Sequence, residues 1–140
     1  MKTLIAAALL GLLSACSLLP TDGGPKSVRT GREFTLDEGR RAVLMDPRLA
    51  VEFDGVLEDM RCPVEANCVA PGHAVVRLSV SQPGHAPATF DLRTDQPNAF
   101  AAYHEHAIVL VGLDPARSTA GRDPDYRVRL VIGPLYTGGR

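Results

Sequence analysis

From Arg32 onward, apolar and polar residues alternate in short runs. Phe34 and Leu36 share one face of such a run, and Ala42 and Leu44 share another. Leu49, Val51 and Phe53 follow at period two, with Glu52 between the last pair. Ala74, Val76, Leu78 and Val80 alternate with Val75, Arg77 and Ser79. Phe90 and Leu92 flank Asp91, and Tyr126, Val128, Leu130 and Ile132 alternate with Arg127, Arg129 and Val131. Period two over a short run is the mark of a half-buried strand, because successive side chains point to opposite faces. The run Ile108–Leu113 is apolar on both faces, which predicts a central strand. Turn signals separate the runs: Asp46-Pro47, Asp54-Gly55, Pro71-Gly72, Pro83-Gly84, Asp114-Pro115, Asp123-Pro124 and Gly133-Pro134. About seven or eight short strands at this spacing predict an all-β domain, an antiparallel β-sandwich or small barrel. Asn98–Tyr103 fits one helical turn with Asn98 as its cap. No long amphipathic helix and no internal repeat is present.

Residues 1–31 break the alternation. Lys2 supplies a positive start, and Leu4 to Leu13 is an uncharged, mostly apolar run of ten. That is too short to span a hydrocarbon core, which needs about 20 residues. It has the length of a signal-peptide apolar region. Leu13-Ser14-Ala15-Cys16 resembles the lipobox of bacterial lipoproteins. The resemblance implies that residues 1–15 are removed, that the Cys16 thiol receives a diacylglycerol, and that the new N-terminus is acylated. Ser17 stands where an Asp retains such proteins in the inner membrane of Gram-negative bacteria. By resemblance, Ser17 implies the outer membrane, facing the periplasm. A plain secretory signal with an incidental Cys is the competing reading. Ser17–Gly31 holds three Gly and two Pro without sustained periodicity. It reads as a flexible tether with an r.m.s. span of about 20 Å, or else as an added edge strand. The expected organisation is therefore signal peptide 1–15, lipidated Cys and tether 16–31, one β domain 32–136 and a tail 137–140.

Composition narrows the function classes. The 140 residues suit one domain, with 45% apolar residues for a core and 22% charged. The net charge of −1 gives no global field to recruit nucleic acid or an anionic bilayer. Removing residues 1–15 takes away one Lys and leaves 14 basic and 16 acidic residues. A nucleic-acid binder, a multi-span membrane protein, a coiled coil and a disordered chain are all disfavoured.

Three Cys leave one over if all are equivalent. With Cys16 lipidated, Cys62 and Cys68 remain as a pair, and export places that pair where disulfides persist. The chain-entropy model gives about 2.4 kcal/mol for so short a loop, and Pro63 stiffens it further. A metal site is the open alternative, with His73 five residues past Cys68 as a third ligand. His104-x-His106 would place two imidazoles side by side on a strand, a geometry that can bind Zn²⁺ or Cu²⁺. It also describes two His on a wet sheet face, and no metal or other cofactor is expected.

The stretch Glu58-Asp59-Met60-Arg61-Cys62-Pro63, followed by Cys68-Val69-Ala70-Pro71-Gly72-His73 and an alternating strand, resembles a group of small exported bacterial proteins and lipoproteins. Their signature reads roughly Asp-Ser-Arg-Cys-Pro, a short spacer, then Cys-Val-Trp-Ala-Gly. Asp59, Arg61, Cys62, Pro63, Cys68, Val69 and Gly72 match it, while Met60 replaces the Ser and Ala70 the Trp. The likeness spans about Phe34 to Ile132. It implies a small β domain with a disulfide-closed loop and carries no activity. Asp59, Arg61 and Pro63 are the candidate binding residues at that loop; Asp59 and Arg61 could equally pair with each other and organise its start.

Catalytic patterns are missing. After the tether the only Ser residues are Ser79, Ser81 and Ser118, and none lies in a nucleophile elbow. Glu52, Asp54, Glu58 and Asp59 could hold a carboxylate pair, but a solvated acidic hairpin explains them as well. Arg127 and Arg129 share a strand face that could receive an anion, but snorkelling over a wet sheet face explains them better. There is no P-loop, dinucleotide fingerprint, zincin motif or EF-hand. The expectation is a lipid-anchored, non-enzymatic envelope protein acting as a binding or structural module through strand edges and the 62–68 loop. Its partners would be the membrane, through the lipid, and an envelope protein; it would be a monomer and bind no nucleic acid. Two alternatives are an inhibitor of an exported hydrolase, such as a lysozyme or protease, and a periplasmic metal-binding protein.

Overall fold

A computed structural model of the chain describes residues 23–45, 48–121 and 124–136. The expected signal peptide, Cys16, the first part of the expected tether and the expected tail 137–140 lie outside the described residues. Nine strands follow one another: β1 (Lys26–Val28), β2 (Glu33–Asp37), β3 (Arg41–Leu44), β4 (Leu49–Asp59), β5 (Ala74–Ser81), β6 (Ala88–Arg93), β7 (Phe100–Tyr103), β8 (His106–Asp114) and β9 (Arg127–Pro134). They form a five-stranded sheet in the order β1-β3-β4-β5-β6 and a four-stranded sheet in the order β2-β9-β8-β7. All ladders are antiparallel except β1 with β3. No helix occurs among the described residues. β8 is an interior strand, as its two apolar faces predict.

The period-two pattern becomes the core. Leu49, Val51, Phe53, Val76, Leu78 and Val80 come from the five-stranded sheet, and Ile108, Leu110, Val128, Leu130 and Ile132 from the four-stranded one. The two inner faces bury each other, the usual solution for sheets with one apolar face. No polar or charged residue is buried among the described residues, so their polar groups lie on strand edges, outer faces and loops. Where β8 shifts register between Leu110 and Gly112, the missing side chain of Gly112 leaves room for the Arg129 guanidinium.

Two segments differ from expectation. β1 lies inside the stretch read as tether, which matches the edge-strand alternative: Val28 is buried and its backbone pairs beside Leu44. The helical turn expected over Asn98–Tyr103 is instead a turn followed by β7. Asn98 takes a positive φ of 55°, Ala101 and Tyr103 point into the core, and Phe100 pairs with Val109. Pairing with β8 and burial of two side chains outweigh the local capping preference. Tyr103 keeps its hydroxyl satisfied by donating to the Ala86 carbonyl at 2.8 Å.

The connections sort to two ends. At one end lie the β2–β3 turn, the long β4–β5 connection with the cysteines, and the β6–β7 and β8–β9 connections. The chain enters β1 from this same end, where Gly24 lines a cleft with Asp37, Arg40 and Arg41. At the opposite end lie the β3–β4, β5–β6 and β7–β8 connections and the end of β9.

Candidate functional site: the stapled loop and its brace

β4 and β5 run past the level of Phe53 as a ladder that ends at Asp59 opposite Ala74. The connection between them is closed by a disulfide from Cys62 to Cys68, with the Cα atoms 5.9 Å apart. Four of its amides pair with carbonyls: Met60 donates to His73, Cys62 to Pro71, Val64 to Arg117 and Ala66 to Pro63. Gly72 takes φ of 69°, and a Cβ there would strike the Met60 carbonyl. The Gly of the matched signature therefore has a steric reason in this fold: only a residue without a side chain lets the two arms of the loop approach.

Asp59 and Arg61 form the root of the loop. The Arg61 Nε donates to Asp59 Oδ1 at 2.9 Å and Nη2 donates to Oδ2 at 2.7 Å. Nη1 reaches the Leu113 carbonyl at 2.9 Å, and Nη2 also reaches Pro115 at 2.8 Å. Four of the five guanidinium donors are thus spent inside the protein. The Tyr126 hydroxyl donates to Asp59 Oδ2 at 2.9 Å. Arg117 closes the frame by donating to the Arg61 carbonyl at 3.0 Å. Glu65, on the loop, accepts from the Ser118 hydroxyl and the Thr119 amide. Together these contacts tie the loop of one sheet to the β8–β9 connection of the other.

Electrostatics follow the geometry. Burial pushes the Asp59 carboxyl up, but hydrogen bonds from the Arg61 side chain and amide and from Tyr126 outweigh it and hold the group below its ordinary value. The Arg61 guanidinium is raised, first by its bonds to Asp59. Tyr126 is raised by burial and then by donating to Asp59. Asp59 and Arg61 are a structural pair, with little capacity left for a ligand. Pro63 is half-buried, and its carbonyl accepts the Ala66 amide.

What the loop offers outward is apolar. Met60 is 61% exposed, Val64 67%, and Val69 fully exposed. Leu57, near the end of β4, is 51% exposed. Four of the eight exposed large apolar side chains among the described residues therefore fall between positions 57 and 69.

The other candidate residues are dispersed. His73 sits between Glu58 and Arg93, at 3.3 Å from each, and the cysteines are bonded to each other, so the Cys62, Cys68 and His73 ligand set does not assemble. His104 and His106 do not share a strand face: His104 occupies the β7–β8 turn with φ of 51°, and its ring stacks on His85 at 3.9 Å. His85, His104, Glu105 and His106 line a cleft of about 280 Å³ with Gln82, whose Oε1 is buried without a hydrogen-bond partner. No group of three or more His, Cys, Asp or Glu is placed to hold a metal among the described residues. The acidic residues of β4 also part company. Asp54 accepts from Ser79 at 2.6 Å, Glu58 faces His73, Asp59 takes Arg61, and Glu52 lies 4.0 Å from Arg41. Ser81 accepts from Arg41. Arg129 is held by Asp114 and Glu33.

The partners of the brace could not be read locally. Tyr126 counted only as an apolar strand position, and Arg117 carried no signal at all. No family model matches the chain, and no curated protein or solved structure matches it.

Proposed function

We propose that this chain is a lipid-anchored protein of the bacterial cell envelope that works as a non-enzymatic interaction module. The 62–68 loop is its working surface. The observation that carries this reading is the contrast within the loop. Its charged groups are consumed internally, Arg61 by Asp59 in a frame with Arg117 and Tyr126, and Glu65 by Ser118, while Met60, Val64 and Val69 are left in solvent. Such a loop is already ordered, so contact costs little conformational entropy. The sequence of residues 1–16 supports the anchor, which would be an acylated Cys16. Several acyl chains at about 0.8 kcal/mol per buried methylene make desorption negligible.

Intact-mass spectrometry of the protein from bacterial membranes tests the reading. The expected product begins at Cys16 and carries acyl chains. Cys16→Ser is expected to lose the acyl mass and leave the membrane fraction once its signal is cleaved. A mature chain beginning elsewhere, or one without lipid, overturns the proposal.

A further inference from the structure

The anchored reading leaves the facing of the sandwich undetermined, and the topology supplies it. β1 runs parallel to β3 and away from the loop end, so the chain preceding it arrives from that end. Gly24 lies two positions before Lys26, which pairs with Ala42, and lines the same cleft as Arg40, whose carbonyl accepts the Phe53 amide. Gly24 thus marks the Phe53 level of the sheet. From there the β4–β5 ladder continues from the Phe53–Leu78 pair to the Asp59–Ala74 pair, four rises or about 13 Å, before the stapled loop begins. Cys16 precedes Gly24 by eight positions. Fully extended, eight residues reach about 28 Å. The loop therefore projects past the point where the chain leaves by about half the reach of the chain that would hold the lipid. To bring the opposite end down, the chain would have to double back alongside β1.

Resting on the anchored reading, we infer that the stapled loop is the membrane-facing tip of the domain. Met60, Val64 and Val69 enter the boundary between headgroups and acyl chains of the bilayer that holds Cys16. Three features suit them to that place. Their side chains are exposed and apolar. The amides of Met60, Arg61, Cys62, Val64 and Ala66 already have protein partners, so these five lose no water on entering. The charges between positions 60 and 72 are one Arg and one Glu, Arg61 bonded to Asp59 and Glu65 to Ser118. The tip is neutral, so the contact is apolar and does not require anionic lipid. Free in solution such a small tip binds weakly. The anchor makes the contact intramolecular and raises its effective concentration. The polar cleft of His85, His104 and His106 then faces away from the membrane.

The chain contains no Trp, so a single introduced indole reports its own surroundings. Val69→Trp at the tip and Met45→Trp in the β3–β4 turn both fall at exposed positions. Each lipidated variant is reconstituted into phosphatidylcholine vesicles with brominated acyl chains. The Val69→Trp reporter is expected to shift to the blue and lose about twofold or more of its emission, as an indole does at interfacial depth. Met45→Trp is expected to keep its emission, and added phosphatidylglycerol to change neither. A Val69→Trp reporter that floats with the vesicles yet emits as in water overturns the inference and leaves the anchor standing. Quenching of Met45→Trp in place of Val69→Trp also overturns it, as does a shift that requires added envelope proteins, which would assign the tip to a protein partner. A chain without lipid overturns the anchor and the inference together.

Discussion

The Tyr126 hydroxyl donates to the Asp59 carboxylate at 2.9 Å across 67 positions of sequence. That bond joins the last residue of β4 in one sheet to the approach to β9 in the other. Asp59 also takes two side-chain donors and the amide of Arg61, and its side chain is only 9% exposed. Removing Arg61 leaves a shielded carboxylate and two carbonyls short of partners. Arg61→Ala is therefore expected to cost about 2 kcal/mol, as for losing charge-assisted hydrogen bonds at a half-buried site. Tyr126→Phe should cost about 1 kcal/mol, as for one hydrogen bond. Urea unfolding midpoints at neutral pH measure both, and a double-mutant cycle should show coupling.

The same group sets an acid limit. The Asp59 carboxyl is held below its ordinary value in the folded state. Its contribution is complete above the unfolded value of about 3.9 and is lost as pH falls through the lower folded value. Stability should fall with pH below about 4 in the wild type, and less steeply in Asp59→Asn. Tyr126, held above its ordinary value, acts at the other extreme. Its contribution is complete below about pH 10 and is lost as pH rises beyond that. Unfolding midpoints across the pH range check both signs.

The disulfide closes a loop outside the core. Replacing Cys62 and Cys68 together by Ser should lower stability by about 2 kcal/mol and leave the far-ultraviolet strand signal unchanged. The frame of Asp59, Arg61, Arg117 and Tyr126 should then keep the loop root in place. Amide exchange is expected to quicken at Val64 and Ala66 and to stay slow at Met60.

Gly72 and Gly39 separate strain from collision. Both hold a positive φ, of 69° and 73°. A Cβ at Gly39 meets nothing, whereas one at Gly72 meets the Met60 carbonyl. Gly39→Ala should cost about 1 kcal/mol for the left-handed backbone alone. Gly72→Ala should cost about 3 kcal/mol, because the two arms of the loop must also move apart. Thermal unfolding of the two variants gives the difference.

The main strands were legible because each long strand buries one face, and burial writes itself as period two. Val76, Leu78 and Val80 or Val128, Leu130 and Ile132 state their inward face outright. β1 was not legible in this way: it buries one residue, Val28, and a single residue has no period. β7 hides for a related reason, since its inward pair begins with the small Ala101 and follows an Asn that resembles a helix cap. The cysteine pair followed from parity and compartment. The brace did not, because Tyr126 and Arg117 meet Asp59 and Arg61 only through the docking of two sheets. His104 and His106 mislead by spacing, since a turn at His104 ends the alternation that would set them side by side.

β1 gives the molecule a mechanical character. It is paired parallel with β3 through Lys26, Ser27 and Val28, and its axis points back toward the end where the chain emerges. Tension drawn along that axis loads the ladder bonds in shear, so they bear the force at once. Peeled sideways, the same bonds would open one after another like a zipper. Three residues placed in this direction act as a clasp, able to take a tug on the leading chain before the sandwich behind it feels the strain.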